Sequence, residues 1–253
     1  MDWLTEYKHL TLPHLKKGSH KSANAGVCAM EMVAYIERLP HTDSPICTCP
    51  VLAAYVRIMN DGMSDSDRHL LMPLLPLLVG TVSPEHEQRR AVLLAMRAVT
   101  VFAPAALDAV GLHAAADRCR KAPITNPDHA ADIAADAANV AAHHDRCDTA
   151  RAVLRAASRA ARCVVRGDHA VATNNAAVAA VAAVAAVVAV DAVVAVDAVD
   201  AATSAARAAA NAARAANIWP LAIDALRDAI DIGPSSGWSA PVGARMAELA
   251  AMQ

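Results

Sequence analysis

Ala176–Val190 reads AAVAAVAAVAAVVAV, fifteen residues without a polar side chain. The sequence around it, from about Ala130 to Ala216, is also rich in alanine. Alanine has the highest helix propensity, and its small side chain lets helix backbones approach closely. The stretch therefore predicts an all-α protein in which long helices pack against one another.

The helix predicted around this stretch runs from Asp168 to about Asn217 and has two different halves. In the downstream half, polar residues recur every three or four positions, as Asp197, Asp200, Ser204, Arg207, Asn211 and Arg214. The same stripe continued upstream meets only valine and alanine, so that half has no polar face. A helix that is apolar all round is buried, and we expect it at the centre of a bundle or under another subunit. A strand over residues 188–199 is the alternative because valine favours strands, but the alanine content favours a helix.

Membrane insertion is not expected for this run. A spanning helix needs about 18 or more apolar residues, whereas this one stops at Asp191 and no aromatic residues border it. The first residues, MDWLTEYKH, lack the basic and apolar regions of a secretory signal. Six cysteines are too sparse for a disulfide framework. The sequence therefore predicts a cytoplasmic protein with reduced thiols.

Composition restricts how the core is built and which partners are expected. Hydrophobic residues make up 56% of the chain but aromatic residues only 3%, so alanine, valine, leucine and methionine must fill the core. Burying apolar surface yields about 25 cal/mol per Å², and small side chains bury little of it. Such a chain needs many helix contacts or a second copy, which predicts a homo-oligomer. The net charge of −2 predicts no basic face of the kind that binds nucleic acid.

Composition also predicts two domains that meet near residue 122. Residues 1–122 hold most of the leucine, methionine, histidine and proline and predict a compact helical N-terminal domain. Residues 123–253 predict an alanine-rich helical bundle. The expected helices cover about 22–39, 51–59, 84–102, 104–121, 127–143, 148–166, 168–217, 220–232 and 240–252, with a kinked or broken helix over 65–79.

Side chains that ligate metals concentrate between His20 and Cys49. Cys28 and Glu31 are three residues apart and share a helix face, and two further cysteines follow in a proline-rich loop. Thiolate, imidazole and carboxylate are the usual zinc ligands. The candidate ligands are Cys28, Cys47, Cys49 and His20, with Glu31 and His41 as further candidates. The two loop cysteines form C-x-C rather than C-x-x-C, so burial of these thiols in the core is the alternative.

The first part of the chain, which contains these residues, resembles a group of uncharacterised actinobacterial and actinophage proteins, and the resemblance covers most of the chain. The matching segments are Gly18-Ser19-His20, Gly26-Val-Cys-Ala-Met-Glu31, Asp43-Ser-Pro45-Ile-Cys47-Thr-Cys-Pro-Val51, Asn60-Asp61 and Gly80-Thr81. Members of the group often continue into degenerate alanine-rich repeats, although this chain carries valine where they carry tryptophan or arginine. The resemblance implies an actinobacterial or phage origin and brings no established activity.

We therefore expect a helical scaffold or protein-interaction module that associates with itself, with phage–host interplay as one setting. Catalysis is not expected from this main interpretation. The alternative is a zinc-dependent enzyme whose site lies in the N-terminal part, with Glu31 as its acid/base group.

Overall fold

A computed structural model describes residues 14–123, 125–143, 148–168, 172, 175–176, 178–179 and 218–234. This part of the chain is mostly helical and contains no β-strand, which confirms the predicted all-α fold class. Its one pairing of extended backbone is an isolated bridge between Leu15 and Val27. The α-helices are α1 Ala29–Ile36, α2 Pro50–Gly62, α3 Pro84–Arg97, α4 Ala103–Ala109, α5 His113–Arg120, α6 Pro127–Ala142, α7 Asp148–Val165 and α8 Ile218–Ile230.

The chain forms two compact units, which do not divide at residue 122. The first unit comprises Met1–Arg90 with Leu226–Gln253, and the second comprises Ala91–Ala225. Arg90 shows why the C-terminal segment belongs to the first unit. Its buried guanidinium donates hydrogen bonds to the carbonyl oxygens of Thr81, Ala229 and Pro234. Composition does not reveal such a contact, because the acceptors are backbone atoms.

The first unit departs from the sequence prediction at the ends of its helices. Helix α1 begins at Ala29 rather than near Ser22, and Cys28 is its N-cap. Helix α2 continues through Gly62 instead of ending near Met59. The proline-rich segment forms two 3₁₀-helices, Arg68–Leu74 and Pro76–Leu78, which confirms the predicted broken helix. The core between these elements consists of large apolar side chains, including Met30, Met32, Leu52, Tyr55, Met59, Leu71, Leu75 and Leu78.

The predicted helix break before Pro104 is absent. A π-helical turn, Ala98–Phe102, joins α3 to α4, so the helical run extends from Pro84 to Ala109. In a regular α-helix, a proline removes one hydrogen bond and its ring clashes with the carbonyl four residues earlier. The π-turn widens the backbone just before Pro104 and lets the chain remain helical.

By length and mean hydropathy, this run of 26 residues is able to cross a membrane. However, 61% of its most apolar window is buried inside the protein. Core helices that never enter a bilayer have the same length and composition, so the run does not by itself indicate a membrane span.

Alanine faces build the second unit, as the sequence predicts. The Asn126 side chain accepts a hydrogen bond from the His129 amide, and Pro127 is the first residue of α6, which confirms the predicted start. The buried face of α6 consists of Ala130, Ala131, Ala134, Ala137, Ala138 and Ala141. Helix α7 packs on this helix, and its Ser158 is buried with its hydroxyl donating to the Ala131 carbonyl.

Of the long helix predicted from Asp168 to about Asn217, only a few residues near its start fall within the described residues. Ala172, Ala176 and Ala179 are helical and fully buried, whereas Val178 is 45% exposed. Val178 is therefore only partly covered within one copy of the chain. The rest of the run Ala176–Val190, the polar seam that follows and the alternative strand lie outside the described residues.

At the C-terminal end, α8 confirms the first of the two helices predicted there. Its Trp219 is buried. The second tail helix and Trp238 lie outside the described residues.

Candidate functional site

The candidate site is centred on Glu31, in the first turn of α1. Its side chain is only 1% exposed. Glu31 and Cys28 form a capping box in which the Glu31 amide donates to the Cys28 Sγ at 3.5 Å, and the Cys28 amide donates to the Glu31 carboxylate at 2.8 Å. The box satisfies two helix-terminal amides that have no partner inside the helix. This pairing explains why the helix begins at Ala29.

Two histidines complete the surroundings of the carboxylate. The His20 amide donates to Oε1 of Glu31 at 2.5 Å, and Nδ1 of His20 lies 2.8 Å from Oε2. Nε2 of His41 lies 3.5 Å from Oε1 and 2.9 Å from the His20 carbonyl oxygen. A single carboxylate therefore joins the loop before α1, the start of α1 and the loop after it.

The electrostatics favour an ionised carboxylate and protonated thiols. Burial raises the pKa of Glu31, but the hydrogen bonds from the Cys28 amide, the His20 amide and the His20 ring outweigh it and lower the pKa below its ordinary value. Burial raises the pKa of Cys28 to about 11. Burial also raises the pKa of Cys47. Both thiols are therefore protonated and poor nucleophiles at neutral pH.

A second set of hydrogen bonds holds the loop before α1 from the side of α2. The buried Asn60 accepts from the Ala29 amide at 3.2 Å and donates to the Lys16 carbonyl at 2.9 Å. Asp61 accepts from the Gly18 amide at 2.7 Å. The Asn60 and Asp61 side chains thus fix the backbone that carries His20.

Gly26 is required by the same arrangement. Its φ of +141° lies in a region that side chains rarely adopt. A Cβ there would lie 2.6 Å from Cδ of Lys16 and 2.9 Å from Cδ2 of His20. The close passage of the backbone beside the His20 ring therefore excludes any larger residue.

Cys47 and Cys49 contribute through their backbone. The Cys47 carbonyl accepts from the Gly80 amide at 2.9 Å, and the Cys49 amide donates to the Thr81 hydroxyl at 3.0 Å. That hydroxyl donates in turn to the Leu78 carbonyl at 2.7 Å. The two cysteines thereby connect the loop before α2 to the turn at residues 78–81.

The structure brings together Cys28, Glu31, His20 and His41, whereas the contacts of Cys47 and Cys49 lead to a different turn. Within the described ranges, no group of three or more His, Cys, Asp or Glu side chains is arranged to hold a metal ion. Two buried residues that hold the loops of the first unit in place, Thr81 and Arg68, were not among the residues that the sequence indicated as functional. Arg68 donates to the carbonyls of Asn60 and Met63 at 2.7 and 2.9 Å. The resemblance includes Gly80-Thr81, but no other sequence pattern indicates Thr81 or Arg68. Both residues bond mainly to backbone atoms, which leave no pattern in the sequence.

The matching segments thus supply groups to two separate sets of hydrogen bonds, one around Glu31 and Asn60 and one between the loop before α2 and the turn at residues 78–81. No family model, no curated protein and no solved structure matches this chain.

Proposed function

We propose that this protein is a helical scaffold or protein-interaction module that associates with itself and catalyses no reaction. The observation that carries the proposal is that the polar groups of the N-terminal motif are bonded to the chain itself. Glu31 accepts hydrogen bonds from two backbone amides and one imidazole. A general acid or base must exchange a proton near the working pH and reach its substrate. The Glu31 carboxylate is 1% exposed and both of its oxygens accept hydrogen bonds from the chain, so it is not placed to reach a substrate.

The packing of the second unit supports a scaffold. The alanines on the buried face of α6 remove little apolar area each, so the stability of this part depends on contact length rather than on large side chains. Cytoplasmic location and an actinobacterial or phage origin stay predictions from the sequence.

Light scattering coupled to size-exclusion chromatography, with sedimentation velocity, tests this proposal. We expect a mass that rises above the 26.3 kDa of one chain as the concentration increases. To detect dissociation constants in the micromolar range, the protein should be loaded at concentrations from about 1 to about 100 µM. A mass of one chain throughout that range contradicts self-association.

A zinc-dependent enzyme is the second candidate function, and one observation favours it. The Glu31 carboxylate fixes Nδ1 of His20, the arrangement that orients metal-ligating imidazoles in many proteins. Elemental analysis of the purified protein, with melting curves before and after chelation, tests it. Stoichiometric zinc and a chelator-dependent loss of stability that His20→Ala abolishes support the enzyme. Metal-free protein with unchanged melting, also in Cys47→Ser, excludes it.

A further inference from the structure

The first unit carries a groove with a cavity volume of about 390 Å³ beside the loop that follows α1. Pro50, Ala53 and Val82 supply its apolar lining, and Ile46 lies at the same groove. Ile46 is 84% exposed, and Val82 is 45% exposed. A dry apolar cavity of about 150 Å³ already holds a benzene molecule, so this groove has room for an aliphatic side chain.

Hydrogen bonds fix the loop that presents Ile46. Nη1 of Arg57 donates to the Asp43 carbonyl at 2.9 Å and to the Ser44 hydroxyl at 3.1 Å. The Thr48 amide donates to the Pro45 carbonyl at 3.2 Å. Ile46 is therefore held outward before any partner arrives, which lowers the entropic cost of binding.

We propose that this groove pairs with the same groove of a second copy of the chain, and that each Ile46 enters the groove of the other copy. An apolar projection and an apolar recess on one patch are what an isologous contact about a two-fold axis requires. The inference rests on the proposed self-association and names the surface responsible for it.

The charges of the groove agree with this occupant. Its lining contains one cation, Arg57, and one anion, Glu87. Glu87 forms no ion pair with any other described residue. In the proposed dimer, Glu87 of each copy faces Arg57 of the other, so the patch offers one anion and one cation to its own copy. Such a pair at an interface rim mainly sets register and salt dependence.

The test compares single variants of the full chain by sedimentation velocity and light scattering. Ile46→Glu and Val82→Glu place a carboxylate in the apolar recess, and we expect each to raise the dimer dissociation constant at least tenfold. In Glu87→Lys, a lysine faces Arg57 of the second copy, and we expect this repulsion to weaken the dimer at low salt. Added salt screens the two charges and reduces the effect. The matched control is Leu221→Glu, because Leu221 is an aliphatic residue 40% exposed on α8, outside the groove. It retains the wild-type dissociation constant.

The outcomes separate this inference from the function on which it rests. If the wild type is a dimer and the two groove variants are folded monomers by circular dichroism, the pairing is supported. If the wild type associates and both groove variants associate equally well, the groove is not the interface, although self-association stands. If the wild type is a monomer at every concentration, both the function and the pairing fail. Should one groove variant unfold, the other variant and Glu87→Lys decide.

Discussion

Replacing Glu31 by glutamine tests whether the motif network holds the first unit together. Oε2 accepts two hydrogen bonds, from the Cys28 amide and the His20 ring, and Oε1 accepts one from the His20 amide. Glutamine keeps only one oxygen. If that oxygen takes the place of Oε2, the new amide group faces the His20 amide, and two donors oppose each other.

The expected cost follows from this count. One buried donor without an acceptor costs about 1–3 kcal/mol. The two bonds that remain lose their charge assistance, which adds about 1 kcal/mol. We therefore expect Glu31→Gln to lower the free energy of unfolding by about 2–4 kcal/mol, or the melting temperature by about 5–15 °C for a chain of this size. The matched control is Glu85→Gln, because the Glu85 side chain is 79% exposed, and its change should stay below about 0.5 kcal/mol.

Urea denaturation followed by circular dichroism measures both differences, and pH gives an independent readout. The pKa of Glu31 is lowered in the folded protein, so its stabilisation is complete above the unfolded value of about 4.3. That stabilisation disappears as the pH falls through the folded pKa. The stability gap between wild type and Glu31→Gln is therefore constant near neutral pH and narrows below about pH 4. If Glu31→Gln is as stable as the wild type at pH 7, Glu31 does not hold the first unit together and is again a candidate functional residue.

Three further predictions test other parts of the first unit. Gly26→Ala should lower the free energy of unfolding, measured by urea denaturation, by more than about 2 kcal/mol because of its steric contacts. The control Gly111→Ala, with φ +79° and open space around the added Cβ, should lower it by about 1 kcal/mol. Equal losses contradict the close passage of the backbone beside His20. Arg90→Met leaves buried carbonyls without donors and should cost about 3 kcal/mol or more by thermal melting, so a neutral effect is inconsistent with that contact. The Cys28 thiol, with a pKa of about 11 and 3% exposure, should react with a disulfide reagent far more slowly than glutathione until urea is added, and rapid native labelling contradicts its burial.

The alanine-rich packing and the start of α6 were predictable because their causes lie within a few residues. Asn126 caps the first turn, Pro127 occupies the position where a missing amide costs nothing, and alanines follow on one face. Local propensity and periodicity carry this information directly. The start of α1 was not predictable in the same way. Residues 22–28 have no strong helix breaker except Gly26. They stay outside the helix because the amides of His20 and Cys28 donate hydrogen bonds to the Glu31 carboxylate.

The candidate site was predictable in its residues but not in its chemistry. The sequence correctly places Cys28, Glu31 and His20 in one region, and the structure joins them. The sequence does not distinguish a thiol that caps a helix from a thiol that binds zinc. The spacing of Cys28 three residues before Glu31 is compatible with either role. Cys47 and Cys49 illustrate the same limit, since their contacts with Gly80 and Thr81 run through backbone atoms and span more than thirty residues.

The two units also differ in what stabilises their helices. Helix α1 has eight residues, and isolated helices shorter than about 12–15 residues are marginal in water. It therefore depends on tertiary packing and on the hydrogen bonds that converge on Glu31. Helices α6 and α7 have 16 and 18 residues and an alanine-rich contact, so their own propensity contributes more. Loss of the Glu31 network should consequently loosen the first unit while α6 and α7 stay folded. Hydrogen exchange of Glu31→Gln will show this as faster exchange in α1 and the loop before it, with unchanged protection in α6 and α7. Uniformly faster exchange in both units would show instead that the two unfold together.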